Sequence, residues 1–307
     1  MATLKDIKAR IRTVGNIKKI TKAMQLVAAA KLNKAQERAH TVRPYAEELD
    51  AILGALAGMA GGADEGGDAI IEMSFVDGAP PLEATRERLF EQKEAVRPAV
   101  VLITSDRGLC GAFNTNLIRA AASFLDEHAD VDCRLITLGR KGTQYFRRRK
   151  ANIIYSREGI SDKMVLEEIK EITGKLVELF VTGEVDAVHL IYAKSTGTAS
   201  YRIASQQFLS IPPVAGTDGE RDDNYIMEPD RESLFATLIP QYATTTIFSA
   251  LADSFASEYA AKMAAMQQAT KNAEEKLDDL VILRNRMRQA TITKELAEII
   301  GGAEALK

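Results

Sequence analysis

The sequence predicts an α/β protein: a long antiparallel coiled coil of N- and C-terminal helices with a Rossmann-like α/β domain inserted between them. Three observations predict it. Both ends of the chain carry long stretches free of glycine and proline, a heptad seam threads each of those stretches, and three short apolar runs alternate with helical patterns in the middle. At 307 residues the chain exceeds an ordinary single domain, which leaves room for an extended part.

The first helix is placed over residues 1–55. Asn16 to Arg43 holds neither Gly nor Pro, and a heptad runs through Leu4, Ile7, Ile11, Val14, Lys18, Thr21, Gln25, Ala28, Leu32, Ala35, Ala39 and Val42. Between Lys18 and Gln25 the seam turns polar, and the apolar residues slip one place to Ile17, Ile20, Met24 and Val27, which are therefore predicted to face away from it. Met1 to Arg43 holds eleven Lys and Arg against two acidic residues, although the whole chain carries a net charge of −3. A basic arm calls for an acidic partner or water. That stretch has no aromatic residue on which a base could stack, so an acidic protein surface suits it better than nucleic acid.

Residues 56–97 are read as a flexible loop and connecting segment, because Gly54 to Pro80 is rich in Gly, Asp and Ala without helical or strand period. The α/β domain follows over 98–213. PAVVLIT, DCRLITLG and DAVHLIYA are its predicted strands, Thr115 to His128 and Met164 to Val181 its helices, and Tyr201 to Ile211 alternates as a closing strand. A connecting loop over 214–230 leads to the second coiled-coil helix, 231–307. Gln241 to Ile300 runs sixty residues without Gly or Pro, about 90 Å if helical. Its seam, Met263, Met266, Thr270, Ala273, Leu277, Leu280, Arg284 and Met287, is thin and studded with small or polar residues, which lets a partner helix approach closely.

The chemistry-bearing candidates are few. TSDRGLCGAFNTN, Thr104 to Asn116, follows an apolar run and leads into a helical one, the place where α/β proteins hold phosphate. It carries Gly108 and Gly111 alone, whereas a dinucleotide fingerprint needs three glycines and a P-loop needs a following Lys. Cys110 has no histidine near it in sequence to lower its pKa, so a small buried cysteine in a tight turn is the better reading. Cys110 and Cys133 make no disulfide framework, and His40, His128 and His189 offer no metal spacing. No cofactor is expected. The longest apolar stretch, Ala51 to Ala63, is too short to span a bilayer, and MATLKDIKARI lacks the blocks of a secretion signal or transit peptide. Arg284, Arg286, Arg288 and Gln289 crowd the last part of the second helix, and IIGGAEAL after them is apolar with no internal partner, which implies a binding sleeve.

Three stretches resemble one family in order and spacing: IKKITKAMQLVAAAKLNKAQ (Ile17 to Gln36), SDRGLCGAFNTNL (Ser105 to Leu117) and RQATITKELAEIIGGAEAL (Arg288 to Leu306). With Glu228, Pro229 and Asp230, they are similar to the gamma subunit of the bacterial F-type rotary ATP synthase along essentially the whole chain. The loop Gly54 to Pro80 is longer and richer in glycine than that pattern, and the regulatory cysteine pair of chloroplast members is absent. The resemblance implies a non-catalytic rotor shaft that carries rotation from a membrane ring of c subunits to a head of three alpha and three beta subunits. It further implies an epsilon subunit as partner, an inhibitor protein as a further candidate, no nucleic acid, no direct membrane insertion, and a peripheral place on the cytoplasmic face of the bacterial inner membrane. By similarity Lys22 and Met24 meet one beta-subunit loop, Arg288 and Gln289 a second, Thr293, Glu295 and Glu298 stand in the sleeve, and Arg284 belongs to the same set of partner contacts. Asp106, Arg107, Gly108, Cys110 and Gly111 form the family-motif turn, and Ala215 to Asn224 lies at the foot near the ring.

Overall fold

The computed structural model describes residues 3–58, 70–76, 78–90, 95–197, 200–211, 228 and 231–305. The expected foot loop, residues 215–224, lies outside them. Two compact units emerge: residues 1–29 with 262–307, and residues 30–261. Helices α1 (Leu4–Gly58) and α6 (Arg231–Ala305) contribute to both.

In the first unit the two helices run antiparallel. Lys18 Nζ donates to Glu274 Oε1 at 2.6 Å, and Thr270 Oγ1 donates to Thr21 Oγ1 at 2.8 Å. The heptad positions form the seam. Ile7 and Ala28 are 1% and 2% exposed, and Met266, Ala273 and Leu280 are buried, whereas Ile17, Ile20 and Val27 stand 46–59% exposed. The one-place slip thus turns three apolar positions outward and leaves the fourth, Met24, half-buried.

The second unit is built on a five-stranded sheet in the order β5-β4-β3-β6-β7. Its strands are β3 (Pro98–Ile103), β4 (Arg134–Leu138), β5 (Ile153–Arg157), β6 (Ala187–Ser195) and β7 (Tyr201–Leu209), with α3 (Phe113–Glu127), α4 (Arg140–Arg148) and α5 (Leu166–Val181) between them. β7 runs antiparallel to β6 and the rest are parallel. Alternation along β3 feeds two cores: Val101 and Ile103 pack with α5 and with α6 residues such as Ile247 and Leu251, while Val100 and Leu102 pack with Phe113, Leu117 and Phe146. Both faces covered is what a parallel sheet requires. Arg43 of α1 pairs with the buried Asp253 of α6 at 3.1 Å.

Helix α6 also completes the sheet. β3 makes its last pairing with β6 at Leu102 and Ile191, yet β6 continues to Ser195. Beyond that point Ser254 Oγ accepts the Ala193 N–H at 3.3 Å and Ser257 Oγ donates to the Ala193 carbonyl at 3.1 Å. Two buried serines thereby supply partners that a missing strand would otherwise provide.

Over the described residues 70–76 and 78–90 the connecting segment carries regular structure, which corrects the expectation of a flexible loop there. α1 continues through Pro44 to Gly58, and β1 (Ile70–Met73) pairs antiparallel with β2 (Leu82–Thr85), followed by α2 (Arg86–Phe90). Residues 59–69 and 77 lie outside the described residues. Ile71, Met73 and Phe75 alternate onto one face and are buried there, which anchors a hairpin that would be marginal alone. Arg88 ties it down, donating to the Phe180 and Val185 carbonyls at the end of α5 at 2.7 and 2.9 Å. Strand β5 and helix α4 are additions to the predicted set. β5 is a short edge strand, and α4 is a short, mostly basic and polar helix whose one large buried side chain is Phe146, so neither shows as an apolar run.

Candidate functional site

The motif turn leaves β3 and immediately caps another helix. At the start of α4 the N–H of Arg140 donates to Asp106 Oδ1 at 2.8 Å, that of Lys141 to the Ser105 carbonyl at 3.1 Å, and that of Gly142 to Thr104 Oγ1 at 2.9 Å. A helix N-terminus is where a phosphate would bind, and here the protein's own Thr-Ser-Asp oxygens fill it. Gly139 makes this approach possible, with φ of +107° and a would-be Cβ 2.0 Å from the Thr104 carbonyl oxygen. Sequence reasoning dwelt on Gly108 and Gly111 and missed Gly139, for which the only signal was a Gly closing a strand in LITLGRKG.

The crevice at the carboxyl ends of the strands, the usual ligand position in open α/β sheets, is occupied by α6. Leu251, Ser254, Phe255 and Glu258 approach Ser105, Asp106 and Gly139 and leave a cavity of about 20 Å³, enough for one water. Cys110 is 2% exposed, and its sulfur accepts Asn114 Nδ2–H at 3.2 Å. Asn114 in turn accepts the Ser105 N–H at 3.0 Å, so turn and helix α3 are stapled together. Gly111 sits at φ +59°; Gly108 lies beside Lys141, its would-be Cβ 3.9 Å from the side chain. Arg107 is exposed and its carbonyl accepts from Ser105 Oγ at 2.6 Å. The other thiol, Cys133, is pushed up to about 11 by desolvation and by Asp132, which makes it a poor nucleophile.

The remaining candidates stand on the helix pair. Lys22 is exposed and reaches Gln25 at 3.3 Å, and Met24 is half-buried beside the seam. Arg284 turns its guanidinium to Asn285 at 3.1 Å, and Arg288, Gln289, Thr293 and Glu295 are exposed. Glu298 lies in α6, its side chain outside the described residues. Among the described residues Arg284, Arg286, Arg288, Lys5, Lys8, Arg12, Lys19 and Lys22 make no ion pair, so this surface is strongly cationic.

The two groups are not brought together. Each step forward on α1 is a step back on α6, so six residues on from Lys18, Met24 stands level with Gln268. Arg288 is twenty residues further along α6, about 30 Å away. By the same count the fourteen residues back from Lys18 to Leu4 carry α6 from Glu274 to Arg288. Beyond Arg288, α6 has no α1 partner among the described residues, and Ile292, Leu296, Ile299 and Ile300 are 48–68% exposed.

A family model described as ATP synthase matches residues 3–306. The ATP synthase gamma chain of Chloroherpeton thalassium is 40% identical, over 100% of this chain and 99% of its own. Those of Desulfitobacterium hafniense and an Anaeromyxobacter species are 39% and 42% identical, each over 100% of both chains. Among solved structures, a chain of the Euglena gracilis mitochondrial ATP synthase, in an assembly of OSCP, F1 and c-ring, aligns with a TM-score of 0.64 at 18% identity, covering 99% of this chain and 94% of that one. A chain of the Tetrahymena thermophila mitochondrial ATP synthase central stalk and c-ring aligns with a TM-score of 0.60 at 23% identity, covering 81% and 99%. These two likenesses show the fold, and the full-length relatives show the family. A seam that matches the heptads, a motif turn spent on capping a helix and a crevice filled by α6 are thus features of a chain that belongs to the ATP synthase gamma chain family.

Proposed function

We propose that this chain is the central rotor shaft of a proton-driven ATP synthase, coupling proton flow to ATP synthesis or hydrolysis on other subunits. The observation that carries the reading is the stretch of α6 beyond Arg288, whose Ile292, Leu296, Ile299 and Ile300 are exposed among the described residues and which follows arginines that make no ion pair among them. Such a stretch suits an enclosing sleeve. The chain is non-catalytic: its phosphate position is taken by Asp106 and its crevice by α6.

In this reading the head consists of three alpha and three beta subunits, the foot meets an epsilon subunit and the ring of c subunits, and the complex lies on the cytoplasmic face of the bacterial inner membrane. No helix among the described residues is long and apolar enough to cross a membrane. Lys22 and Met24 meet one beta-subunit loop, Arg288 and Gln289 another, Thr293, Glu295 and Glu298 turn in the sleeve, and Arg284 belongs to the same set of partner contacts. Broad charge complementarity suits rotation, because exposed ion pairs are individually worth about 0–1 kcal/mol and leave no deep well to climb out of at each turn.

The test is purification of the tagged chain from membranes followed by reconstitution in vesicles. A stoichiometric complex with two larger nucleotide-binding chains that pumps protons on ATP addition is expected. A lone chain, or a complex whose hydrolysis moves no protons, refutes the reading.

A further inference from the structure

A shaft passes torque only through contacts that resist sideways displacement. Apolar packing is non-directional, whereas charge-assisted hydrogen bonds fix orientation. Arg43 pairs with Asp253 across α1 and α6, and Asp253 also accepts a backbone hydrogen bond from Ser195 of β6; Ser254 and Ser257 link α6 to the sheet. At Asp162, in the turn between β5 and α5, the α/β domain itself supplies the charged side chain and bonds side chains of both helices.

We propose that Asp162 is the grip through which torque passes between the α/β domain and the two terminal helices, an inference that rests on the shaft reading. Its carboxylate accepts Lys31 Nζ of α1 at 2.7 Å and the Tyr259 hydroxyl of α6 at 2.6 Å, on the same oxygen. Arg38 of α1 donates to its backbone carbonyl. Lys31 also reaches the Tyr259 hydroxyl at 3.3 Å, so the three side chains close a triangle. The turn itself is held firm. Lys163 and Met164 N–H groups bond Ser161, and Met164 is buried in the core at 7% exposure. Desolvation raises the Asp162 carboxyl, but the hydrogen bonds from Lys31 and Tyr259 outweigh it and hold the group below its ordinary range, so it is charged wherever the enzyme works. Asp162 is a positioning residue and takes no part in chemistry.

The test uses the assembled synthase carrying Asp162→Asn, which keeps the shape and removes the charge. Expected are unchanged subunit composition, an ATPase rate within about twofold of the parent, an angular variance of a bead on the α/β domain raised about twofold, and protons pumped per ATP against a standing gradient lowered about threefold. Tyr259→Phe, which deletes one donor, is expected to raise the variance by less. If Asp162→Asn disrupts assembly, Tyr259→Phe decides: a raised variance at parental ATPase supports the grip, and a parental variance overturns it. A parent that pumps beside an Asp162→Asn complex that pumps and fluctuates equally overturns the grip alone, whereas a parent that hydrolyses without pumping overturns the shaft reading and the grip with it.

Discussion

A methyl group at position 139 would meet the Thr104 carbonyl oxygen at 2.0 Å, from a backbone at φ +107°. Gly139→Ala is therefore expected to cost more than about 3 kcal/mol and to leave little soluble chain. Gly15→Ala is the control: nothing lies within 4 Å of its would-be Cβ, and it sits inside α1. That change should stabilise by up to about 1 kcal/mol, read as a raised Tm. Asp162 gives the pH dependence. A carboxyl lowered in the folded state contributes stability above its unfolded value of 3.8, lost as pH falls through the lower folded value. The Tm difference between parent and Asp162→Asn should thus be widest near neutrality and narrow as pH falls below the unfolded value of 3.8; a constant difference would show that the charge is not what matters. None of these three sites was marked in the sequence. Gly139 and Asp162 matter through partners 35 and 131 residues away, and no local pattern encodes such distances.

Elements were legible in proportion to their period. The α1 seam from Leu4 to Val42 holds for five and a half heptads because small and apolar residues recur at fixed spacing, and even its slip at Ile17 and Ile20 reads directly as outward-facing side chains. The central parallel strands β3, β4 and β6 were visible as apolar runs because both their faces are buried. The hairpin was hidden because its alternating residues Ile71, Met73 and Phe75 follow a glycine-rich stretch that dominates the composition. The α6 stretch past Arg288 carries its own prediction. Helical stability comes mostly from packing, so limited trypsin digestion of the isolated chain should cut first at Arg288 and Lys294, well before Lys271 or Lys276 beside α1. Equal rates at all four would argue that the stretch is as protected as the pair.

For the molecule as a whole, Met24→Lys should impair coupling, because a new charge pair with the head would have to break during each turn. The measurement is ATP-driven proton pumping relative to ATPase, expected to fall severalfold in ratio while hydrolysis persists. Equal ratios would refute the contact assigned to Met24. Equilibrium dialysis of the isolated chain should find no specific ATP binding, since α6 stands in the crevice and Asp106 at the α4 N-terminus. The two serines that complete β6 reach further than packing. They lie 61 and 64 residues after Ala193, so during synthesis the sheet waits about 3 to 13 s for them at ordinary elongation rates. The nascent α/β region leaves the ribosome with buried-to-be backbone groups still bonded to water, and its folding is completed by the last quarter of the message. Chains that stop before Ser254 should be chaperone clients even though every strand of the sheet has already been translated.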